Sequence, residues 1–223
     1  MTDYKKPDYW QLKARQEGYP ARSVYKLMEL DEKFGLFKPG GPGRPGRPGR
    51  PFKVLDLGAS PGSWSLYMLR KFSGIALVAA DIAPLSREFD KGLFDSGNFC
   101  FIQGDITDPA VRDSIIAKGP YDLIVSDAAP ATTGSRFIDT ARSLELAEAA
   151  ASYAETALSA QGAHSAPGAH SAPGGLVVKV FQGGDTSELL GRLRSLFKTA
   201  KSYKPRACRS ESFETYYVGV GKR

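Results

Sequence analysis

The sequence predicts an α/β fold built on a mainly parallel sheet of seven strands, with helices on both faces. The first observation is that strand-like and helix-like segments alternate along residues 52–223, which is typical of βαβ units. The second is that the strand-like segments are apolar almost throughout, as expected for strands buried on both faces. A chain of 223 residues suits one such domain.

The charge balance favours a polyanionic partner, of which nucleic acid is the simplest. Lys and Arg number 30 against 24 Asp and Glu, a formal net charge of +6. The two cysteines and two histidines have no spacing typical of a metal site or a disulfide framework, so we expect no metal. No apolar run reaches the roughly 20 residues of a membrane span, and residues 1–6 have no apolar signal core. We therefore expect a cytoplasmic protein without a membrane partner.

Residues 1–38 form a basic segment rich in aromatic residues. A helix is predicted over residues 21–34 from apolar residues with helical spacing, namely Val24, Leu27, Leu30 and Phe34. Interleaved basic and aromatic side chains suit contacts with phosphates and bases, so we expect this segment to pack on the domain and to contact RNA. A solvated helix whose lysines lay their alkyl stems on the surface would have the same pattern.

Two low-complexity stretches are predicted to be loop insertions. Residues 39–51 repeat Gly-Arg-Pro three times, a composition that excludes helix and central strand, although their arginines could also tether RNA. Residues 162–174 contain Gly-Ala-His-Ser-Ala-Pro twice, and the two histidines have no carboxylate or cysteine nearby, which disfavours a metal site. A loop expansion is the simpler interpretation of both stretches.

The remaining elements follow in order from residue 52. Strands are expected at residues 53–57, 75–81, 99–105, 121–127, 175–181, 200–203 and 216–220. Helices are expected from residue 64 onward, over residues 136–159 and over residues 186–199, the last with a leucine face at Leu189, Leu190, Leu193 and Leu196.

A glycine turn joins the first of these strands to the helix that follows, and it predicts a nucleoside site. Strand, glycine turn and helix open a nucleotide-binding βαβ unit, because glycine lets a ligand approach the backbone. Gly58 and Gly62 are four residues apart, and Ser60 stands where a dinucleotide fingerprint has its second glycine. A pyrophosphate must approach the backbone closely at that second glycine, which Ser60 does not allow. The turn therefore favours a nucleoside ligand that has no pyrophosphate, and S-adenosylmethionine (SAM) is such a ligand. An ordinary strand-to-helix turn is the alternative.

Three later strands end in an aspartate, at Asp81, Asp105 and Asp127. Ligands of open α/β sheets bind at the carboxyl ends of the strands. Asp81 lies about twenty residues past the glycine turn, where a carboxylate accepts the two ribose hydroxyls, and Asp105 could accept from the exocyclic amine of adenine. Each aspartate alone could be a helix cap or a turn residue, but their recurrence at consecutive strand ends favours a SAM site.

Lys179 is anomalous because it interrupts the apolar strand at residues 175–181. Lysine is rarely buried without a partner, and its natural partners here are Asp127 and an acid on the final strand. A structural ion pair would explain this lysine, and so would a role in an active site.

Five segments resemble the FtsJ/RrmJ group of RNA ribose 2′-O-methyltransferases. They are residues 21–27 (ARSVYKL), 57–64 (LGASPGSW), 126–130 (SDAAP), 177–183 (VVKVFQG) and 212–216 (SFETY). The resemblance runs from about residue 9 to the C-terminus apart from the low-complexity stretches, and it implies a Rossmann-like SAM-dependent methyltransferase fold. Ser63 departs from the pattern of the group, which commonly has another glycine there. Neither Ser63 nor the insertions touch the residues that would carry the reaction. The resemblance therefore predicts the type of reaction better than it predicts the affinity for the substrate.

The resemblance also implies which residues act and on what. The Lys-Asp-Lys-Glu tetrad of the group carries over onto Lys26, Asp127, Lys179 and Glu214. Its SAM contacts carry over onto Gly62, Trp64, Asp81, Asp105 and Asp127, to which the glycine turn adds Gly58. The implied activity is transfer of a methyl group from SAM to the ribose 2′-hydroxyl of a uridine in large-subunit ribosomal RNA. We expect a monomer that uses no metal and acts on the assembled subunit, although the sequence alone leaves free RNA open as the substrate.

Lys179 is expected to contact the 2′-hydroxyl and to accept its proton. Burial and a second cation, Lys26, favour a neutral amine, whereas Asp127 and Glu214 favour the ammonium. The sequence leaves the outcome open. A charged lysine would instead orient the oxygen and stabilise its developing negative charge.

Three other functions fit parts of the pattern. A 2′-O-methyltransferase of the transfer RNA anticodon loop would use the same tetrad, although the chain length favours the ribosomal substrate. A noncatalytic RNA-binding assembly factor would have no need for Lys179 in a buried strand. An NAD-dependent oxidoreductase is disfavoured by Ser60 and by the turn of residues 61–64.

Overall fold

The computed structural model describes residues 8–37, 51–159, 174–183, 186–209 and 211–223. The start of the basic segment and nearly all of the two predicted insertions, at residues 39–51 and 162–174, lie outside these ranges.

Within the described ranges, seven strands form one mainly parallel sheet, as predicted. They are β1 (Phe52–Leu57), β2 (Ile75–Asp81), β3 (Phe99–Gln103), β4 (Leu123–Ser126), β5 (Gly175–Phe181), β6 (Phe197–Tyr203) and β7 (Glu214–Lys222). The strand order is β3-β2-β1-β4-β5-β7-β6. β7 runs antiparallel to β5 and β6, and the pairings among β1 to β5 are parallel.

Helices cover both faces of this sheet, which confirms the predicted fold class. They are α1 (Tyr9–Gln16), α2 (Val24–Phe34), α3 (Ser63–Lys71), α4 (Pro109–Ala117), α5 (Arg136–Ala157) and α6 (Thr186–Leu196). One apolar layer contains side chains of α2 and α3, and the other contains side chains of α5 and α6. Neighbouring strand residues such as Val177 and Val178 enter different layers, because successive side chains of a strand point to opposite faces.

The structure adds two helices that the sequence pattern did not predict. α1 begins with a capping box, in which Asp8 accepts from the Gln11 N–H and the Gln11 side chain accepts from the Asp8 N–H. α4 begins with Asp108 as its cap and Pro109 in its first turn. Both helices are short, so their local capping signals are clearer than their apolar periodicity.

The last helix and strands also differ from the predicted boundaries. α6 ends at Leu196, and β6 starts at the next residue, three positions earlier than predicted. Phe197 pairs with Lys222 across the β6–β7 ladder. The Phe197 ring covers Gly219, where a Cβ would lie 2.4 Å from the ring. This long-range fit, which a helical leucine pattern does not reveal, fixes the start of β6.

The strand order places a ligand crevice between β1 and β4. β2 and β3 lie on one side of β1, whereas β4 and the later strands lie on the other, so the order reverses at this point. Ligands of open α/β sheets bind at such a reversal, beyond the carboxyl ends of the strands. Gly58 follows β1 and Asp127 follows β4, so the two residues flank the crevice.

Candidate active site

Four charged residues from distant parts of the chain meet at this edge of the sheet. Lys26 Nζ lies 2.8 Å from Glu214 Oε2 and 4.0 Å from Asp127 Oδ1. Lys179 Nζ lies 3.1 Å from Asp127 Oδ1 and donates to the Asp127 backbone carbonyl at 2.6 Å. The structure therefore brings together all four residues predicted as the tetrad, with the Asp127 carboxylate between the two ammonium groups.

Strand register explains why two of these side chains share a face. In the antiparallel β5–β7 pair, Lys179 lies opposite Tyr216 and Phe181 lies opposite Glu214. Directly opposed residues project to the same side of a sheet, as do residues two apart on one strand. Lys179 and Glu214 therefore emerge together on the face that α2 covers.

Tyr216 belongs to the same cluster, although the sequence reasoning gave it no role. Its hydroxyl donates to Asp127 Oδ1 at 2.6 Å, and its ring lies 6.0 Å from Lys26 Nζ. The side chain is fully buried. A usable signal was present, because Tyr216 is two residues beyond Glu214 on the same strand face and a buried tyrosine hydroxyl needs a partner.

The cluster holds its carboxylate and one of its lysines in the charged form. Burial raises the pKa of Asp127, but the charges of Lys179 and Lys26 and the Tyr216 hydrogen bond outweigh it and hold that pKa below its usual range. Burial lowers the pKa of Lys26, yet Asp127 and Glu214 together raise it above the ordinary value. The pKa of Tyr216 is raised well above its usual value, first by burial, so its hydroxyl stays a donor.

Next to the tetrad lies a cavity of about 350 Å³ at the carboxyl ends of the strands. Its lining includes three residues predicted for the cofactor, Gly58, Asp81 and Asp105. It also includes residues to which the sequence reasoning gave no role in cofactor binding: Ile82, Gly104, Ile106, Thr107, Ala128, Ala129, Pro130, Ala131, Arg142, Glu145 and Leu146. Volume and lining suit SAM, because a cofactor pocket is mostly apolar with a few placed polar groups. The Asp81 and Asp105 carboxylates are the predicted acceptors for ribose hydroxyls and an adenine amine, and both line this cavity.

Both pocket aspartates also hold the turns in which they sit. Asp81 Oδ2 accepts from the Ser60 N–H at 2.9 Å, so it fixes the glycine turn after β1. Asp105 Oδ1 accepts from the backbone and hydroxyl of Thr107 at 2.8 and 2.7 Å, and these bonds lower its pKa. The turn role and the pocket role, which were alternatives at the sequence level, therefore coexist in these residues.

The three other residues predicted for the cofactor are not among those that line the cavity: Gly62, Trp64 and Asp127. Gly62 precedes the first residue of α3, and Asp127 is engaged by the two lysines. The Trp64 side chain is 2% exposed, and its indole donates to the Ser23 carbonyl at 2.8 Å. Any contact of Trp64 with SAM is therefore left to its backbone in the first turn of α3, while its ring joins α3 to α2.

The glycine turn is tightly constrained at Gly58. This residue has φ of +72°, and a Cβ on it would lie 2.4 Å from the Ala128 Cα. The chain after β4 thus passes directly over the turn after β1. Glycine is required here by the close approach of two backbone segments, in addition to any approach of a ligand.

A second buried carboxyl lies beneath this turn. Asp56 in β1 is 1% exposed. Among the residues that the structure describes, a hydrogen-bond donor reaches only its Oδ2 oxygen, namely the Ser65 hydroxyl at 2.7 Å. Burial, together with the nearby charges of Asp127 and Asp81, raises the pKa of Asp56 to about 7. This residue was given no role from the sequence, although a carboxylate in the apolar run of residues 53–57 is a signal of the same kind as Lys179 in its strand.

The described ranges contain no group of three or more His, Cys, Asp and Glu residues that could hold a metal ion. Both histidines, His164 and His170, lie outside those ranges. None of the helices in the described part of the chain combines the length and the apolar content needed to cross a bilayer.

Comparison with known proteins gives concordant matches along nearly the whole chain. The model of the FtsJ-like methyltransferase family matches residues 19–222. The ribosomal RNA large subunit methyltransferase E of Treponema denticola is 47% identical over 218 residues, which cover 97% of this chain and 96% of the relative. The protein of that name from Nitratidesulfovibrio vulgaris is 41% identical over 226 residues, covering 100% and 97%.

A solved structure of a ribosomal RNA methyltransferase from Plasmodium falciparum, described as putative, has the same fold. Its TM-score is 0.65 at 24% identity, and the match covers 92% of this chain and 98% of that one.

Proposed function

The chain belongs to the FtsJ-like methyltransferase family, and we propose that it methylates the ribose 2′-hydroxyl of a uridine in large-subunit ribosomal RNA. The observation that carries this proposal is the meeting of Lys26, Asp127, Lys179 and Glu214 beside a cavity suited to SAM. The name of the relatives gives the substrate class, and their 47% and 41% identity extends over nearly the whole chain.

Within this proposal, Lys179 accepts the proton of the 2′-hydroxyl. SAM, when bound, supplies an electrophilic methyl group. The two hydrogen bonds from Lys179 to Asp127 fix its amine at the edge of the crevice. Lys26 is a poor proton acceptor, because its raised pKa keeps it protonated. In its neutral form Lys179 would take the hydroxyl proton as the oxygen bonds to the methyl carbon, while the bond from that carbon to sulfur breaks and the sulfur leaves as a neutral thioether.

The other members of the tetrad orient this lysine and balance its charge. Asp127 stays ionised because its pKa is lowered, so it can hold Lys179 and stabilise the ammonium that forms. The Lys26 ammonium, paired with Glu214, leaves positive charge close to the developing oxyanion. Alignment of hydroxyl and methyl group can lower the barrier by several kcal/mol, up to roughly 7–11.

The RNA path in this proposal follows basic side chains around the crevice. Residues 8–37 provide one side, and exposed cations from α5 and from the segment before β7 provide the other: Arg136, Arg142, Lys204, Arg206 and Arg209. Backbone phosphates would neutralise these cations. We extend the proposal to the assembled large subunit as substrate and to a monomeric protein that acts in the cytoplasm.

Methyl transfer from labelled SAM tests this proposal. The acceptors are large ribosomal subunits, free ribosomal RNA and transfer RNA, all from cells that lack this protein, and the modified nucleotide is then mapped. We expect incorporation at a uridine 2′-oxygen of the large subunit. Incorporation only into free ribosomal RNA would refute the assembled subunit as substrate, and incorporation only into transfer RNA would replace the ribosomal substrate. SAM binding without any transfer would favour a noncatalytic assembly factor.

A further inference from the structure

The start of α5 presents large apolar side chains to solvent. Phe137 is 85% exposed and Ile138 is 41% exposed, whereas phenylalanine and isoleucine are usually buried. The preceding residue, Arg136, lies over the ring of Phe213, with 5.3 Å between Cζ and the ring centroid. Its guanidinium also donates to the Gln182 carbonyl at 3.4 Å. An exposed aromatic residue thus follows, in the first turn of the same helix, an arginine whose guanidinium lies over another ring.

This arrangement is continuous with the reactive centre. The Phe213 ring packs edge-on against Phe181, with 4.8 Å between centroids, and Lys179 Nζ lies 6.0 Å from the centroid of Phe181. Phe213 also directly precedes Glu214 in the chain. The aromatic contacts therefore run from the reactive lysine outward to Arg136 at the protein surface.

We propose that Arg136, Phe137 and Phe213 (the stacking surface) hold an unpaired base of the RNA at or next to the methylated nucleotide. Unpaired RNA bases stack on aromatic rings and on arginine planes. A ribose held at Lys179 carries its own base, so that base or an adjoining one falls beside these residues. The inference rests on the proposed function, since it assigns a base contact to the same substrate.

Phosphate attraction alone does not account for this surface. A phosphate contact requires only the charge of Arg136 and gives no reason for an uncharged ring at Phe137. Base stacking requires a planar side chain at each position. A phosphate contact would therefore tolerate Arg136→Lys, which keeps the positive charge, whereas base stacking would be weakened because the planar guanidinium is lost.

Substitutions on the full-length protein separate these effects, with the RNA that the wild-type protein methylates as substrate. We expect Phe137→Ala to raise KM for RNA by about tenfold, with kcat and the Kd of SAM within about twofold of wild type. Phe137→Tyr, which keeps an aromatic ring, should restore most of the affinity. Arg136→Lys should also weaken RNA binding, whereas Arg194→Lys on α6, a matched exposed arginine, should not. Since Phe137 is exposed, these variants should fold, and thermal unfolding checks that.

RNA lacking one base identifies the base that is held. Wild-type protein should bind RNA that is abasic at the methylated nucleotide, or at one neighbour, about tenfold more weakly than intact RNA. The Phe137→Ala variant should lose little further affinity for that RNA, because the two changes remove the same contact. An unchanged KM for Phe137→Ala, or an undiminished abasic effect in that variant, would overturn the inference. Absence of transfer to any RNA by wild-type protein would instead overturn the proposed function.

Discussion

Lys26 Nζ lies 2.8 Å from Glu214 Oε2 although 188 positions separate the two residues in the chain. The contact joins α2 to the first residue of β7, and both side chains are almost fully buried. An ion pair in such surroundings is weakly screened, so losing one partner leaves an unpaired charge away from water. The basic N-terminal segment is therefore part of the site itself, because it supplies one of the four charges.

Removing Lys26 or Glu214 from their ion pair should lower both the free energy of unfolding and the rate of methyl transfer. We expect Glu214→Ala to lower the free energy of unfolding by about 3 kcal/mol, because Lys26 loses its nearest carboxylate. Glu214→Gln, which still offers an oxygen to the ammonium, should lose less. A double-mutant cycle measures the interaction free energy between the two side chains. It compares the urea unfolding of Lys26→Met, of Glu214→Gln and of the double variant with that of wild type. The double variant should lose clearly less than the sum of the single losses, and strict additivity would contradict a direct interaction.

Lys179→Ala should abolish methyl transfer while leaving SAM binding nearly intact. Loss of a general base typically reduces turnover by about 10²–10⁴-fold, and this amine does not line the cavity suited to SAM. Lys222→Ala is the matched control. Lys222 is also a buried lysine, but it donates to the carbonyls of Glu155 and Leu158 at the C-terminus of α5.

Single-turnover rates and SAM titration calorimetry check this prediction. Lys222→Ala should be less stable but active per folded molecule. Substantial turnover by Lys179→Ala would refute the role of Lys179, and a loss of SAM binding would show that the change had damaged the cofactor site instead.

The sequence predicted the parts of this protein that depend on local pattern. The strands Ile75–Asp81 and Gly175–Phe181 have the predicted bounds, because a strand buried on both faces is an almost entirely apolar run, which in the second strand only Lys179 interrupts. Asp127 and Lys179 stood out in the pattern, as an aspartate at a strand end and as a lysine in an apolar strand. The roles of Lys26 and Glu214 came only from the resemblance, since these two residues meet only after folding. No role was predicted for Tyr216 or Asp56, and the start of β6 was predicted too late. The hydrogen bond of Tyr216 to Asp127 and the fit of Phe197 against Gly219 join distant parts of the chain. The raised pKa of Asp56 comes first from its burial, which is a property of the folded sheet.

Gly58→Ala should destabilise the protein more than another glycine substitution with the same backbone conformation. A Cβ at Gly58 would lie 2.4 Å from the Ala128 Cα, so backbone must move at the crevice. Gly74 has a φ of +79° and nothing within 4 Å of the position of a Cβ. Gly74→Ala should therefore cost only the backbone strain, about 1–2 kcal/mol, and Gly58→Ala about 1–3 kcal/mol more.

Chemical unfolding compares the two glycine variants, and the Kd of SAM shows whether the crevice is altered. Weaker SAM binding is expected for Gly58→Ala alone. Equal stability of the two variants would mean that the turn can relax without moving the chain after β4.

RNA binding should weaken steeply with salt, because phosphates exchange counterions for basic side chains. Each phosphate contact contributes about 0.7–0.9 to the slope of log K against log salt. Arg206→Gln, at an exposed cation of the proposed RNA path, should lower the slope by about that amount. Arg194→Gln on α6 is the control and should leave it unchanged. Salt titrations followed by fluorescence anisotropy measure both, and a salt-independent affinity would refute the proposed surface.

Asp56 should make the stability of the protein fall as pH rises. The carboxyl loses its proton near pH 3.8 in the unfolded chain but only near pH 7 in the folded protein, because burial raises its folded-state pKa. Between these values the unfolded state binds fewer protons, so deprotonation favours unfolding, and the cost is fully present above about pH 7. Asp56→Asn removes the titration. Its stability relative to wild type should therefore rise between pH 4 and pH 7, by on the order of 2–4 kcal/mol.

Urea unfolding of Asp56→Asn and of wild type from pH 4 to pH 8 measures the difference between their free energies of unfolding. The titration of the other groups is common to both proteins, so it cancels in that difference. Ser65→Ala gives an independent check, because the Ser65 hydroxyl bond lowers the pKa of Asp56. Without that bond the loss of stability should continue to a higher pH than in wild type. A difference between Asp56→Asn and wild type that stays constant with pH would mean that Asp56 is already ionised in the folded protein.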